Sequence, residues 1–218
     1  MNSSAVFKWS KEYLIEILTS GREAILTDPL LINAFQKVDR KHFVPPEYKN
    51  RAYDDIEIPI GYNERLSKVT LIAQLIAYLK PKYGGKYLDI GTGTGYSAAV
   101  IAFVAGDKGK VYTIERVQWI WDLARENFKK IPGLTNIFQA YKDGLNGSPE
   151  QQPFDGIHIA FSLNHVPETL KKQLNKNGGR LVCPLTTNFI KIITRHGDDY
   201  TEEEVPGFFV EPGRIGIA

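Results

Sequence analysis

Apolar positions in the first eighty residues recur mainly at helical spacing, which predicts a helical layer. Residues 11–18 and 29–38 carry apolar side chains three and four positions apart. Asp28 precedes Pro29, which predicts an N-cap followed by proline at the first helical position. Residues 53–61 predict a short extended stretch, and 69–79 predict a third helix. We expect these elements to form an accessory layer that covers a sheet edge or a pocket.

Beyond residue 86 the pattern changes to short apolar runs, which predict buried strands. The predicted strands are 87–90, 111–114, 136–141, 154–160, 180–184 and 189–195. Two segments between them, 98–105 and 167–174, predict helices. The charged run 198–204 predicts a solvated loop, and the tail predicts one strand near 208–210. The alternation of strands and helices predicts an α/β fold.

Composition limits the size of the fold and the kinds of partner and site, but it identifies no reaction. The chain has 218 residues, 43% of them hydrophobic, which suffices for one compact α/β domain with a short extension. A net charge of +2 gives no electrostatic argument for a nucleic acid partner. The single cysteine, Cys183, excludes an internal disulfide and a cysteine zinc site. No apolar run reaches about eighteen residues and residues 1–20 lack a signal-peptide layout, so we expect a cytoplasmic protein that crosses no membrane.

One loop carries the strongest chemical signal in the chain. Asp89 ends an apolar run, and Gly91, Gly93 and Gly95 follow at every second position before an apolar helical stretch. Glycine lets a ligand approach the backbone, and the following helix offers free N–H groups. Glu115 lies twenty residues after Gly95, where a nucleotide-binding βαβ unit places the carboxylate that holds the ribose hydroxyls. A tight turn without a ligand is the alternative, which the strand, the helix and Glu115 together disfavour.

The loop resembles the first motif of class I S-adenosylmethionine-dependent methyltransferases. A dinucleotide fingerprint needs a glycine at the sixth position from Gly91, where this chain has Tyr96. The resemblance implies a Rossmann-like sheet with helices on both faces, an N-terminal helical extension and S-adenosyl-L-methionine as cofactor. It further implies that Asp143 accepts a hydrogen bond from the adenine amino group, with Gly144 beside it. A simple Asp-Gly turn remains the other interpretation of this pair.

A longer resemblance covers residues 15–185 and is more specific. Ordered segments along the chain are similar to protein-L-isoaspartate O-methyltransferases. These segments are 33–45, 52–55, 58–61, 88–96, 143–144, 153–155, 174, 178–182 and 184. The resemblance implies a single domain over 1–218, with an accessory region at 1–80, a cofactor-binding core at 81–200 and a tail at 201–218.

The chain departs from that family around the acceptor site. Where members usually carry G-x-G-Q-T-I-S, residues 61–67 keep the serine as Ser67 but have Asn63, Glu64 and Arg65 in place of Gly, Gln and Thr. Residues 160–165 replace the usual small residues after the fourth strand. The resemblance therefore implies the methyl donor more firmly than the acceptor.

The implied roles follow the same division between donor and acceptor. Ser67 would orient the acceptor oxygen, although its position also suits an N-cap. Arg65, Leu66 and His165 would border the acceptor, although His165 also fits a solvated loop. His158, among apolar residues, predicts a structural histidine, and no spacing of histidines and carboxylates predicts a metal site.

Three functions stay open at this point. The first is a carboxyl O-methyltransferase that uses S-adenosyl-L-methionine to methylate isoaspartyl residues of damaged proteins or peptides. The second is a related methyltransferase with another acceptor. The third is a cofactor-binding homologue without turnover. The sequence predicts no oligomeric state.

Overall fold

A seven-stranded mixed sheet organises the molecule, and helices flank it. The computed structural model describes residues 8–21, 24–207, 212–213 and 216–217. Its strands are β1 (Ile58–Gly61), β2 (Glu64–Leu66), β3 (Lys86–Ile90), β4 (Lys110–Glu115), β5 (Ile137–Tyr141), β6 (Gly156–Ile159), β7 (Asn177–Pro184), β8 (Phe189–His196) and β9 (Asp199–Pro206). Its α-helices are α1 (Lys11–Thr19), α2 (Pro29–Lys37), α3 (Val69–Leu79), α4 (Tyr96–Ala105), α5 (Gln118–Phe128) and α6 (Glu168–Lys172). Short 3-10 helices span Arg40–His42, Pro46–Arg51 and Pro149–Gln151.

The strand order of the large sheet is β5-β4-β3-β6-β7-β8-β9. The first five strands are parallel, and β8 and β9 add an antiparallel hairpin. The chain leaves β3 toward β4 and β5 and returns to β6 on the other side of β3. This reversal creates a topological switch point at the carboxyl ends of β3 and β6, where open α/β sheets bind their ligands. The predicted Rossmann-like class is confirmed.

Two apolar clusters cover the two faces of this sheet. Alternate residues of one strand belong to different clusters, as when Leu181 packs in one and Val182 in the other. The larger cluster joins the sheet to α1, α2, α3 and α4, and α4 is buried along nearly its whole length. The smaller cluster includes Leu170 of α6 and Cys183 of β7.

The predicted helical layer is confirmed, and so is the predicted N-cap of α2. The Asp28 side chain accepts a hydrogen bond from Leu30 N, with Pro29 in the first turn of α2. Helix α2 packs against α4, and α3 packs against β6 and β7. The hairpin of β1 and β2 stands apart from the large sheet and leads directly into α3.

The prediction of a solvated loop over 198–204 is wrong. These residues lie largely in β9, which pairs with β8 along its length. Their charges are compatible with a strand because β9 is an edge strand whose side chains mostly face solvent. Lys191 of β8 forms ion pairs with Glu202 and Glu204 across the hairpin. The strand predicted near 208–210 lies outside the described residues.

Candidate active site

A cleft opens at the switch point, at the carboxyl ends of β3, β4 and β6. It encloses about 870 Å³ outside the protein atoms, part of it open solvent. The cleft is lined by Glu57, Ile60, Glu64, Arg65, Ser67, Ile90, Gly91, Gly93, Ile114, Glu115, Arg116, Ile120, Asp143, Gly144, Ala160, Phe161, Pro212 and Gly213.

The glycine loop forms the floor of this cleft. Gly91 has a φ of 90°, and a Cβ built on it would lie 3.0 Å from the ring of Phe161. Gly93 also lines the cleft, whereas Gly95 lies just behind it as the N-cap residue of α4. A Cβ on Gly95 would meet the ring of Phe128 at 2.6 Å, so this glycine serves packing. Two of the three predicted glycines therefore face the ligand space.

Glu115 ends β4 and points its carboxylate at the loop. Its Oε2 accepts a hydrogen bond from Gly93 N at 3.0 Å. Its Oε1 accepts hydrogen bonds from Arg116 N at 2.8 Å and Val117 N at 3.0 Å. The pKa of Glu115 is raised overall. Burial is the largest cause, and the nearby charge of Glu64 adds to it, while hydrogen bonds from the three backbone N–H groups act in the opposite direction. An ionised carboxylate accepts about four hydrogen bonds, so Glu115 keeps acceptor capacity for a ligand hydroxyl.

Asp89 lies beneath the loop and does not line the cleft. Its Oδ1 accepts a hydrogen bond from His158 Nδ1 at 2.7 Å, and its Oδ2 accepts one from Thr113 Oγ1 at 2.6 Å. Both Asp89 and His158 are fully buried. A carboxylate only accepts, so Nδ1 carries the proton. This bond agrees with the prediction of a structural histidine and gives Asp89 a supporting position.

Asp143 and Gly144 also line the cleft. Asp143 Oδ1 accepts a hydrogen bond from Leu145 N at 2.9 Å, which is the turn that the Asp-Gly pair predicted. Its Oδ2 accepts one from Gly216 N at 2.6 Å. A Cβ on Gly144 would overlap the side chain of Ile90. The turn and the cleft position are therefore both real features of this pair.

The acceptor turn, defined here as residues 65–67, comprises the last two residues of β2 and Ser67, which leads toward α3. Arg65 is exposed at the rim of the cleft, and Ser67 is half-buried in its wall. Leu66 is buried and lines a smaller adjoining pocket between the turn and the glycine loop. The structure thus brings Arg65 and Ser67 together with the glycine loop and Glu115.

The N-cap interpretation of Ser67 is wrong. Lys68 occupies the N-cap position of α3 and makes no side-chain cap bond. The cap comes from Asp55, whose Oδ1 accepts a hydrogen bond from Thr70 N at 3.0 Å. Its two carboxylate oxygens also lie 2.9 and 2.8 Å from Thr70 Oγ1. The Ser67 hydroxyl is therefore not committed to starting the helix.

His165 is exposed and does not line the cleft, so the solvated-loop interpretation fits it better. Phe161 of the same loop takes part in the cleft instead. Within the described part of the chain, no group of three histidine, cysteine or acidic side chains is placed to hold a metal ion. The same part contains no helix of the length and apolarity needed to span a membrane.

Several cleft residues were not predicted from the sequence. Pro212 and Gly213 close one side, and Arg116 Nε donates to Gly216 O at 2.6 Å. Gly216 in the tail contacts Asp143 across 73 positions of the chain. No local sequence pattern signals such a distant contact. Arg116 had a local signal, because it directly follows Glu115 at the carboxyl end of a strand.

Known proteins resemble this chain over most of its length. The family model for protein-L-isoaspartate(D-aspartate) O-methyltransferase matches residues 9–207. A protein-L-isoaspartate O-methyltransferase of Methanococcoides burtonii is 40% identical over 167 residues, which are 77% of this chain and 81% of the relative. One of Thermosipho melanesiensis is 39% identical over 165 residues, 76% of this chain and 82% of the relative.

Solved structures with the same fold include members of this kind of enzyme. A protein-L-isoaspartate O-methyltransferase structure matches with a TM-score of 0.79 and 27% identity, covering 95% of this chain and 67% of its own. A Plasmodium falciparum protein, described as a putative protein-L-isoaspartate O-methyltransferase in complex with S-adenosyl-L-homocysteine, matches with a TM-score of 0.78. The latter is 23% identical over 93% of this chain and 96% of its own, and it supports the fold alone.

Proposed function

Because the chain belongs to the protein-L-isoaspartate(D-aspartate) O-methyltransferase family, we propose that its cleft holds S-adenosylmethionine against the glycine loop and presents the acceptor at residues 65–67. The protein is an S-adenosylmethionine-dependent methyltransferase that methylates isoaspartyl residues. We infer the roles of its individual residues from their positions in the cleft.

The position of Glu115 carries the cofactor part of this proposal. Its carboxylate lies beside Gly93, is held by three backbone N–H groups and keeps a lone pair for a ribose hydroxyl. Ile90, Ile114 and Ile120 supply apolar walls on the same side of the cleft. A mixed apolar and acidic lining suits a ligand that combines a ribose, an aromatic base and a cationic centre. These residues therefore fit the cofactor.

The chemistry demands little acid or base catalysis. When bound, the cofactor supplies an activated sulfonium methyl, which moves to a carboxylate oxygen as the C–S bond breaks and a C–O bond forms, with no proton transferred. The protein has to align the acceptor in line with that methyl group and to exclude water. Ser67 is suited to orient an acceptor oxygen through its hydroxyl. Arg65 is suited to pair with the acceptor carboxylate, because a guanidinium binds carboxylates through two parallel N–H donors.

A methyl-transfer assay tests the proposal directly. The protein should methylate a peptide with one isoaspartyl residue and leave its aspartyl twin unmodified. Ser67→Ala should lower turnover roughly three- to tenfold, the effect of one lost hydrogen bond to the acceptor. Its affinity for S-adenosylhomocysteine, measured by calorimetry, should stay the same.

Lys68→Ala is the matched control for this substitution. Lys68 is the next residue, is exposed and makes no side-chain cap bond, so its loss should leave turnover near the natural value. Equal turnover in Ser67→Ala and the natural chain would contradict the assigned role of Ser67. Equal methylation of the two peptides would contradict the isoaspartyl specificity.

A further inference from the structure

Arg40 is the largest fully buried side chain among the described residues, with 1% of its surface exposed. Burying a guanidinium is costly unless its donors are satisfied. Its Nη1 donates a hydrogen bond to Ala52 O at 2.6 Å, and its Nη2 donates one to Ser67 O at 2.9 Å. Within the described chain no carboxylate forms an ion pair with Arg40, so both bonds go to backbone carbonyls. The buried guanidinium therefore links two backbone segments, at Ala52 and at Ser67.

One of those carbonyls belongs to the acceptor turn. Ser67 O is held by Arg40 from the N-terminal layer, and the helix that follows is capped by Asp55. The backbone is therefore held at the Ser67 carbonyl and again at Thr70, in the first turn of α3. On a held backbone, the Ser67 hydroxyl is limited to the few positions that its χ1 rotamers allow.

Arg40 also contacts Tyr96, the first residue of α4 after the glycine loop. Its guanidinium carbon lies 6.0 Å from the centre of the Tyr96 ring, a cation–π distance. Tyr96 is fully buried and directly follows Gly95, the last glycine of the loop. Arg40 thus contacts the start of α4 and the acceptor turn at the same time.

We infer that Arg40 is a positioning residue, which sets the distance between the acceptor turn and the glycine loop by holding Ser67 O. The inference rests on the proposed role of Ser67 as the group that orients the acceptor. Arg40 does not line the cleft, so it acts on turnover through Ser67.

Arginine suits this task better than lysine. Its planar fork donates to two carbonyls in a fixed geometry, whereas an ammonium group is a single point charge on a flexible stem. Arg40→Lys keeps the charge but loses the simultaneous hold on Ala52 O and Ser67 O. We therefore expect the acceptor turn to lose its fixed position while the cofactor loop keeps its own.

A double-mutant cycle of Arg40→Lys and Ser67→Ala tests the coupling. Turnover on the isoaspartyl peptide is measured with saturating cofactor, and S-adenosylhomocysteine affinity is measured by calorimetry. Arg40→Lys alone should lower turnover by no more than Ser67→Ala does, roughly three- to tenfold, and should change that affinity less than about twofold. In the Ser67→Ala background, the same substitution should lower turnover less than about twofold further.

A stability control separates positioning from general damage. Leu18→Ala removes a fully buried side chain from α1, away from the cleft, and should lower the melting temperature without a matching loss of turnover. If Arg40→Lys does not fold, Arg40→Gln, which buries no charge, takes its place in the cycle.

The outcomes distinguish the inference from the proposal beneath it. Additive effects of the two substitutions would overturn the inference, as would an equal loss of turnover in Leu18→Ala at a matched drop in melting temperature. If Ser67→Ala alone leaves turnover unchanged, the proposed role of Ser67 fails, whatever Arg40→Lys does.

Discussion

We predict that protonation of Glu115 couples cofactor binding to pH. In its proposed role the ionised carboxylate accepts a hydrogen bond from a ribose hydroxyl, so affinity should be highest above the pKa of Glu115 and should fall as pH drops through it. Burial raises that pKa, and the charge of Glu64 adds to the rise. The loss of affinity should therefore begin at a higher pH than for an ordinary glutamate, whose pKa is about 4.3.

Glu64→Gln removes one cause of the raised pKa, so we predict that its affinity for S-adenosylhomocysteine falls at a lower pH than that of the natural chain. Calorimetry over a series of pH values measures both midpoints. Glu126→Gln, the same change on the exposed side of α5, is the control and should keep the natural midpoint. Coincident midpoints for Glu64→Gln and the natural chain would contradict the electrostatic coupling of Glu64 to Glu115.

The sequence predicts which residues reach the cleft when they lie at the ends of strands. It does not predict positions that depend on contacts between distant parts of the chain. Gly91, Gly93 and Glu115 reach the cleft because carboxyl ends of parallel strands share one edge of the sheet. Asp89 precedes that edge on β3, and its side chain pairs inside the sheet with His158, 69 positions away. The sequence contains both residues but not their contact.

At the scale of elements, apolar runs predicted the central strands but not edge strand β9 or the cap of α3. Strands β3 and β6 are buried almost throughout, so their sequences are nearly continuous apolar runs. Strand β9 forms by pairing with β8 and leaves its charges in solvent, so its sequence resembles a loop. The start of α3 depends on Asp55, fifteen positions before Thr70, where local capping rules do not apply.

The Asp55 cap predicts a specific cost for the start of α3. Asp55→Ala should lower the free energy of unfolding by about 1 kcal/mol, the usual value of a capping side chain. Asp55→Asn keeps an acceptor oxygen for Thr70 N and should lose less. Denaturant unfolding, followed by circular dichroism, measures both variants. Equal stability of Asp55→Ala and Ser67→Ala would contradict the assignment of the cap to Asp55.

At the scale of the molecule, the helical layer and the sheet share one apolar core. Leu14 and Leu18 of α1 belong to the same cluster as Ile190 and Ile192 of β8. The cleft also takes walls from both regions, with Ser67 from the layer and Glu115 from the sheet. A boundary near residue 80 therefore separates regions of the sequence that depend on each other for burial, and we propose that 1–218 unfolds as one domain.

We predict a single thermal transition that S-adenosylhomocysteine shifts as a whole. A ligand at a hundred times its dissociation constant adds about 2.7 kcal/mol of stability. For a domain of this size, that corresponds to a rise of roughly 5 to 11 °C in melting temperature. Scanning calorimetry measures the shift, and Glu115→Ala at the same ligand concentration should show a smaller one, because it loses a hydrogen bond of roughly 1–3 kcal/mol to the cofactor. Two transitions, of which the ligand moves only one, would mean that the layer and the sheet unfold separately and that the shared core does not couple them.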